Sequence, residues 1–130
     1  MIKRILSLGL LILLCFLYAC GANNAKAVYH TILPEDAKKM MDENSSYIIL
    51  DVRTKAEYKE QHIPDAILIP NTEIKDRAET ELPDKDALIF VYCRSGVRAA
   101  GAAKDLADMG YTSIYDIGGI INWPYDKVSG

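Results

Sequence analysis

The hydrophobic positions of the chain change period several times, and each change marks an element. Ile5 to Ala19 carry no charge and follow Lys3 and Arg4. That run is shorter than the roughly 20 residues a membrane-spanning helix needs, and with its basic start it suits a secretory signal. Val28 to Ile32 predicts a short strand. Pro34 opens a predicted helix over Glu35 to Met41, acidic residues first and lysines later, as the helix dipole prefers. Tyr47 to Leu50 predicts a strand that ends at Asp51, and Thr54 with Glu57 three residues on predicts a capped helix through Glu60. Ala66 to Ile69 is a further apolar run closed by Pro70, after which Asn71 is placed to cap a short helix over Thr72 to Ala78. Beyond the Pro83–Asp86 turn, Ala87 to Tyr92 is an unbroken apolar run, the pattern of a strand buried on both faces. A loop over Cys93 to Val97, a helix from Arg98 to Met109 closed by Gly110, and a strand over Ser113 to Ile117 complete the pattern. Strands alternating with helices predict an α/β domain with a largely parallel sheet. Sites in such sheets lie at the carboxyl ends of the strands, and Cys93 falls at one of them.

The N-terminal run ends in Leu17-Tyr18-Ala19-Cys20-Gly21, which resembles a lipobox, although Tyr18 departs from the small or β-branched residue preferred there. The expected organisation is a signal peptide of lipoprotein type over residues 1–19, a tether over 20–27 that carries lipidated Cys20, and one domain over 28–130. An exported protein is expected, lipid-anchored to a bacterial membrane with its domain in the periplasm or outside the cytoplasmic membrane. Its membrane contact would be that anchor.

Composition narrows the function classes. With 50% hydrophobic and 25% charged residues the chain is globular. Its 15 Lys and Arg against 18 Asp and Glu give a net charge of −3, which loss of Lys3 and Arg4 with the signal would deepen, so no nucleic-acid partner is expected. Of three cysteines, Cys15 would leave with the signal and Cys20 would carry lipid, so Cys93 is the one free thiol and no disulfide scaffold can form. Cys93 has no cysteine neighbour and the chain has two histidines, His30 and His62, so no Cys-rich metal site is expected and no cofactor is implied. A lone thiol in an exported chain asks for a chemical role.

The segment Tyr92-Cys93-Arg94-Ser95-Gly96-Val97-Arg98 supplies one. A buried strand delivers the thiol to its carboxyl edge, Gly96 permits a tight turn, and a helix begins directly after. The amides at that helix start can form an anion-binding nest, and the helix terminus, Arg94 and Arg98 all favour a thiolate nucleophile. The bland alternative is a buried cysteine acting as a small hydrophobe; the two arginines and the strand-to-helix position weigh against it.

The loop Cys93–Arg98 resembles the six-residue active-site loop of single-domain sulfurtransferases of the rhodanese family. Leu50-Asp51-Val52-Arg53, Glu57-Tyr58, His62-Ile63-Pro64-Asp65-Ala66, Pro70, and Gly118-Gly119 with Trp123 resemble further family motifs in the same order. Gln61 and Asp65 stand where glycines are common, and Pro124 after Trp123 suggests a short or altered terminal helix.

The resemblance implies a rhodanese-like fold, a five-stranded and mostly parallel sheet flanked by helices. It also implies a sulfurtransferase in which Cys93 takes the outer sulfur of thiosulfate or a similar small anionic donor and passes it to a thiol or cyanide. Arg94, Ser95, Gly96, Val97 and Arg98 would form the substrate-binding loop, with Arg98 either contacting substrate or bracing the loop. Asp51, Arg53 and Glu57 would support it, and His62 would be structural. The expected state is a monomer. Two rivals stand beside this: a sulfur-relay or binding module with little thiosulfate turnover, and a cysteine phosphatase or arsenate reductase. The second uses a loop with five residues between Cys and Arg, where this chain has four, Arg94 to Val97.

Overall fold

The computed structural model describes residues 27–130. The expected signal segment, Cys20 and nearly all of the tether lie outside the described residues. Five strands and four helices alternate: β1 (His30–Thr31), α1 (Pro34–Glu43), β2 (Ile48–Asp51), α2 (Lys55–Glu60), β3 (Ile67–Leu68), α3 (Ile74–Glu81), β4 (Ile89–Cys93), α4 (Val97–Asp108) and β5 (Ile114–Gly119). Single 3-10 turns cover Asn71–Glu73 and Ile120–Asn122. The sheet order is β1-β5-β4-β2-β3, and every pairing within it is parallel. Among the described residues no helix is long and apolar enough to cross a membrane.

The unbroken apolar run becomes β4, the central strand, and all five of its residues are buried. Its side chains divide by the strand period. Ile89, Val91 and Cys93 join a core with Leu50, Ile114 and Leu106 of α4, while Phe90 and Tyr92 join one with Met41 of α1 and Trp123. Ala99, Ala102, Ala103 and Ala107 are buried on α4, and their small side chains let that helix lie close over β4 and β5. Ala100, on the flank of that face, is half-buried.

Three local features differ from the sequence-based expectation or refine it. Asn71 does not cap a helix. Its amide donates to the Val52 carbonyl at 2.9 Å, just as Ile69 N–H donates to Asp51, so the chain is still laced to the β2 end. Helix α3 therefore begins only at Ile74 and runs on to Glu81. Asp65 adopts φ of 66°, the left-handed conformation a glycine would take and one that Asp tolerates, whereas Gln61 is extended. After Trp123 no further helix forms; instead Val128 and His62 exchange backbone hydrogen bonds of 2.9 and 2.8 Å. The Thr54 cap forms as expected, with Glu57 N–H donating to Thr54 Oγ1 and Thr54 N–H donating back to the Glu57 carboxylate.

Candidate active site

Cys93 ends β4, 1% exposed, and the amide of Gly96 donates to its Sγ at 2.9 Å. Gly96 has φ of 112°, a conformation that a side chain would strain, and it caps α4. The amides of Val97, Arg98 and Ala99 in the first turn of α4 have no hydrogen-bond acceptor among the described residues. Ser95 and Arg94 are exposed, and Val97 is 81% exposed. The structure thus gathers the whole segment from Cys93 to Arg98 at the carboxyl edge of the sheet, with the sulfur at its base.

The end of β5 supports this loop from behind. Cys93 pairs with Gly119 after a register shift, and a Cβ on Gly119 would lie 2.1 Å from the Arg94 carbonyl oxygen. Glycine is thus required for close approach of two backbones. Ile121 N–H donates to the same oxygen at 3.3 Å.

A buried polar cluster lies beside the β4 end. Asp51, 0% exposed, accepts hydrogen bonds from the Arg53 backbone N–H (2.9 Å), Nε (3.0 Å) and Nη2 (2.7 Å), and from the Tyr92 hydroxyl (2.6 Å). Arg53 Nη2 also donates to the Gln61 carbonyl at 2.6 Å, and the Tyr92 hydroxyl accepts from Ile63 N–H at 3.1 Å. Burial opposes the Arg53 charge, but the bonds to Asp51 outweigh it and hold its pKa above the ordinary value. Burial, and then the Asp51 carboxylate, push the Tyr92 hydroxyl far up, so it remains a donor. These bonds tie the ends of β2 and β4 to the 61–63 segment.

A second pair stands at the rim. Arg98 grips Glu57 with two parallel bonds, Nη1 to Oε1 at 2.8 Å and Nη2 to Oε2 at 2.9 Å, and so fastens α2 to the start of α4. The Arg98 hydrogen bonds hold the Glu57 carboxyl at about 2, against the opposing effect of burial, and the Thr54 contacts pull the same way. Arg98 is raised in turn, mainly by Glu57. Its fork is therefore spent on bracing.

Arg94 has no ion-pair partner among the described residues. It lines a cavity of 240 Å³ together with Arg53, Glu57, Glu60 and Ile121. His62 stands apart from this chemistry: its ring stacks on Tyr58 at 3.8 Å and its Nδ1 bonds the Tyr58 carbonyl at 2.8 Å. Sequence reasoning treated Tyr92 as packing and gave Gly119 no spatial role. The signals were the adjacency of Tyr92 to Cys93, and a glycine pair at a strand end.

Known proteins match this arrangement over most of the described residues. The Rhodanese-like domain family matches residues 33–124. The chain is 38% identical over 81 residues to thiosulfate sulfurtransferase PspE of Escherichia coli, covering 62% of this chain and 78% of that protein. It is 36% identical over 90 residues to a sulfurtransferase of Allochromatium vinosum, covering 68% and 82%. Among solved structures, a rhodanese with anions from E. coli superposes with a TM-score of 0.62 at 36% identity, covering 65% of this chain and all of that one. Sequence, fold and loop agree: the chain belongs to the rhodanese-like domain family, and its class of reaction is sulfur transfer.

Proposed function

We propose that this protein is a thiosulfate:acceptor sulfurtransferase working through a Cys93 persulfide. The observation that carries the reading is the Cys93 sulfur at the base of a loop whose Gly96 amide already donates to it. Three further amides open the next helix without acceptors among the described residues. In the first step the Cys93 thiolate attacks the outer sulfur of thiosulfate. A sulfur–sulfur bond forms on Cys93, the donor's sulfur–sulfur bond breaks, and its electron pair leaves on sulfite. The persulfide anion then lies among the loop amides, which stabilise the charge as fixed dipoles. In the second step an acceptor, cyanide or a thiolate, attacks the outer sulfur and Cys93 departs as thiolate. Splitting one transfer into two displacements is the work of the nucleophile.

Arg94, exposed and unpaired among the described residues, draws the anionic donor to the mouth by its charge. Arg98 braces the loop through Glu57, and the Asp51–Arg53–Tyr92 cluster holds the strand end beneath it. Intact mass after thiosulfate treatment tests the reading: one added sulfur atom is expected, and none in Cys93→Ser. Loading that persists in Cys93→Ser would remove Cys93 from the reaction. Release of phosphate from an aryl phosphate without thiocyanate formation from thiosulfate and cyanide would favour the phosphatase rival.

The location belongs to the same proposal. Export and anchoring through lipid on Cys20 rest on the uncharged run and on Ala19-Cys20-Gly21. Metabolic labelling with a radioactive fatty acid should mark the protein and fail to mark Cys20→Ala.

A further inference from the structure

Asp116 is a buried acid that the chemistry proposed above leaves unused. It is 5% exposed, and burial raises its pKa above the ordinary value while the bond from Gly118 opposes that rise. Keeping a carboxylate away from water is costly unless it is well used. Its side chain makes one hydrogen bond among the described residues, accepting from the Gly118 backbone N–H at 2.9 Å. That bond lies where β5 departs from regular pairing. Asp116 pairs with Val91 and Gly119 with Cys93, so β5 takes three steps where β4 takes two. Gly118 falls inside the extra step with φ of 83°, a conformation that a side chain would strain.

The extra step reaches the reacting sulfur through packing. A Cβ on Gly96 would stand 3.6 Å from the Gly118 Cα, so the two glycine backbones lie against each other. Gly96 N–H in turn donates to Cys93 Sγ at 2.9 Å. If the end of β5 relaxed, Gly96 would lose its support and its amide would drift off the sulfur.

We propose that Asp116 is a positioning residue for sulfur transfer, fixing the Gly118 turn on which Gly96 rests and so aiming the Gly96 amide at the Cys93 sulfur. The inference rests on the persulfide reading and adds a residue to it. Asp116 acts through Gly118 and Gly96, not by contact with donor or acceptor. A carboxamide oxygen accepts the Gly118 bond as a carboxylate does, whereas a methyl group cannot. Asp116→Asn therefore keeps the device and Asp116→Ala removes it.

The test reads the rate of loading apart from its extent. The full chain is mixed with thiosulfate over a range of concentrations, quenched in acid at intervals, and scored by intact mass for the added sulfur. Unfolded molecules lower the final fraction loaded, whereas a misplaced amide lowers the rate constant of the molecules that load. Asp116→Ala should reduce the rate constant at saturating thiosulfate about tenfold, less than the outright loss of a stabilising donor costs. The half-saturating concentration should stay within about twofold, because Arg94 still recruits the donor. Asp116→Asn should restore the rate. Gly118→Ala adds a methyl that meets no atom within 4 Å but must hold the same left-handed φ, and it should slow loading by the same route. This second variant carries the test if Asp116→Ala does not fold. An unchanged rate constant in either alanine variant, a change confined to half-saturation, or Asp116→Asn as slow as Asp116→Ala would overturn the positioning role while leaving loading intact. Failure of the unaltered chain to load would instead take down the persulfide reading, and this inference with it.

Discussion

Two ion pairs flank the Cys93 loop, and they differ in depth. Asp51–Arg53 lies underneath, with side chains 0% and 5% exposed, whereas Glu57–Arg98 spans the rim at 27% and 31%. Both pairs use well-aligned arginine forks, so geometry alone would rank them equal. Depth separates them. The lower pair has been stripped of water and must satisfy itself through Tyr92, Gln61 and the Arg53 amide, so each member depends on the others. The rim pair keeps part of its hydration and can be lost without stranding a buried charge. A fixed floor and an adjustable rim suit a loop that must hold a sulfur in place and still admit a donor.

The largest effect should come from breaking the floor. Asp51→Ala leaves the Arg53 guanidinium buried and unpaired, and should cost about 3–5 kcal/mol of stability in urea denaturation. A loss as small as that of a rim variant would erase the distinction between the pairs. Gly119→Ala places a methyl group against the Arg94 carbonyl. It should cost about 1–3 kcal/mol through overpacking, and persulfide loading should fall as the loop is displaced. Tyr92→Phe removes one hydroxyl, deprives Asp51 of a donor and leaves Ile63 N–H unpaired. Thermal unfolding should then report about 1–3 kcal/mol.

Glu57→Gln should be the mildest, about 0.2–1 kcal/mol near neutral pH. Its signature is the pH dependence. The Glu57 carboxyl is depressed from 4.5 to about 2 in the folded state, so its stabilisation is present above the unfolded value and is lost as pH falls through about 2. The stability curve of Glu57→Gln should accordingly be flatter than that of the unaltered chain between those values. Parallel curves would mean that the rim pair contributes nothing.

Local chemistry was the legible part of the sequence. Thr54 and Glu57 announce their cap because both partners lie within one helical turn. The run ending at Tyr92 announces a central strand because no polar residue interrupts it. Likewise, the placement of Cys93 between a strand and a helix follows from adjacent residues alone. What stayed hidden depends on distant segments meeting. Glu57 was expected to support the loop, but that Arg98, 41 residues away, is its partner needs the packing of α2 against α4. Tyr92 reads as one more apolar strand residue until its hydroxyl is seen to reach Asp51 across the β2–β4 pairing. Asn71 carries a legitimate capping side chain, yet its backbone is claimed by Val52, and tertiary lacing overrides the local preference.

The sheet's margins have a consequence for crowded conditions. Outer strands β1 and β3 are two residues long each, while the longer β4 and β5 run inside. Edges this brief give an incoming chain almost no ladder of free amides and carbonyls to extend, which is how natural sheets resist joining edge to edge. Copies of the domain brought close together would therefore gain little from pairing their sheets.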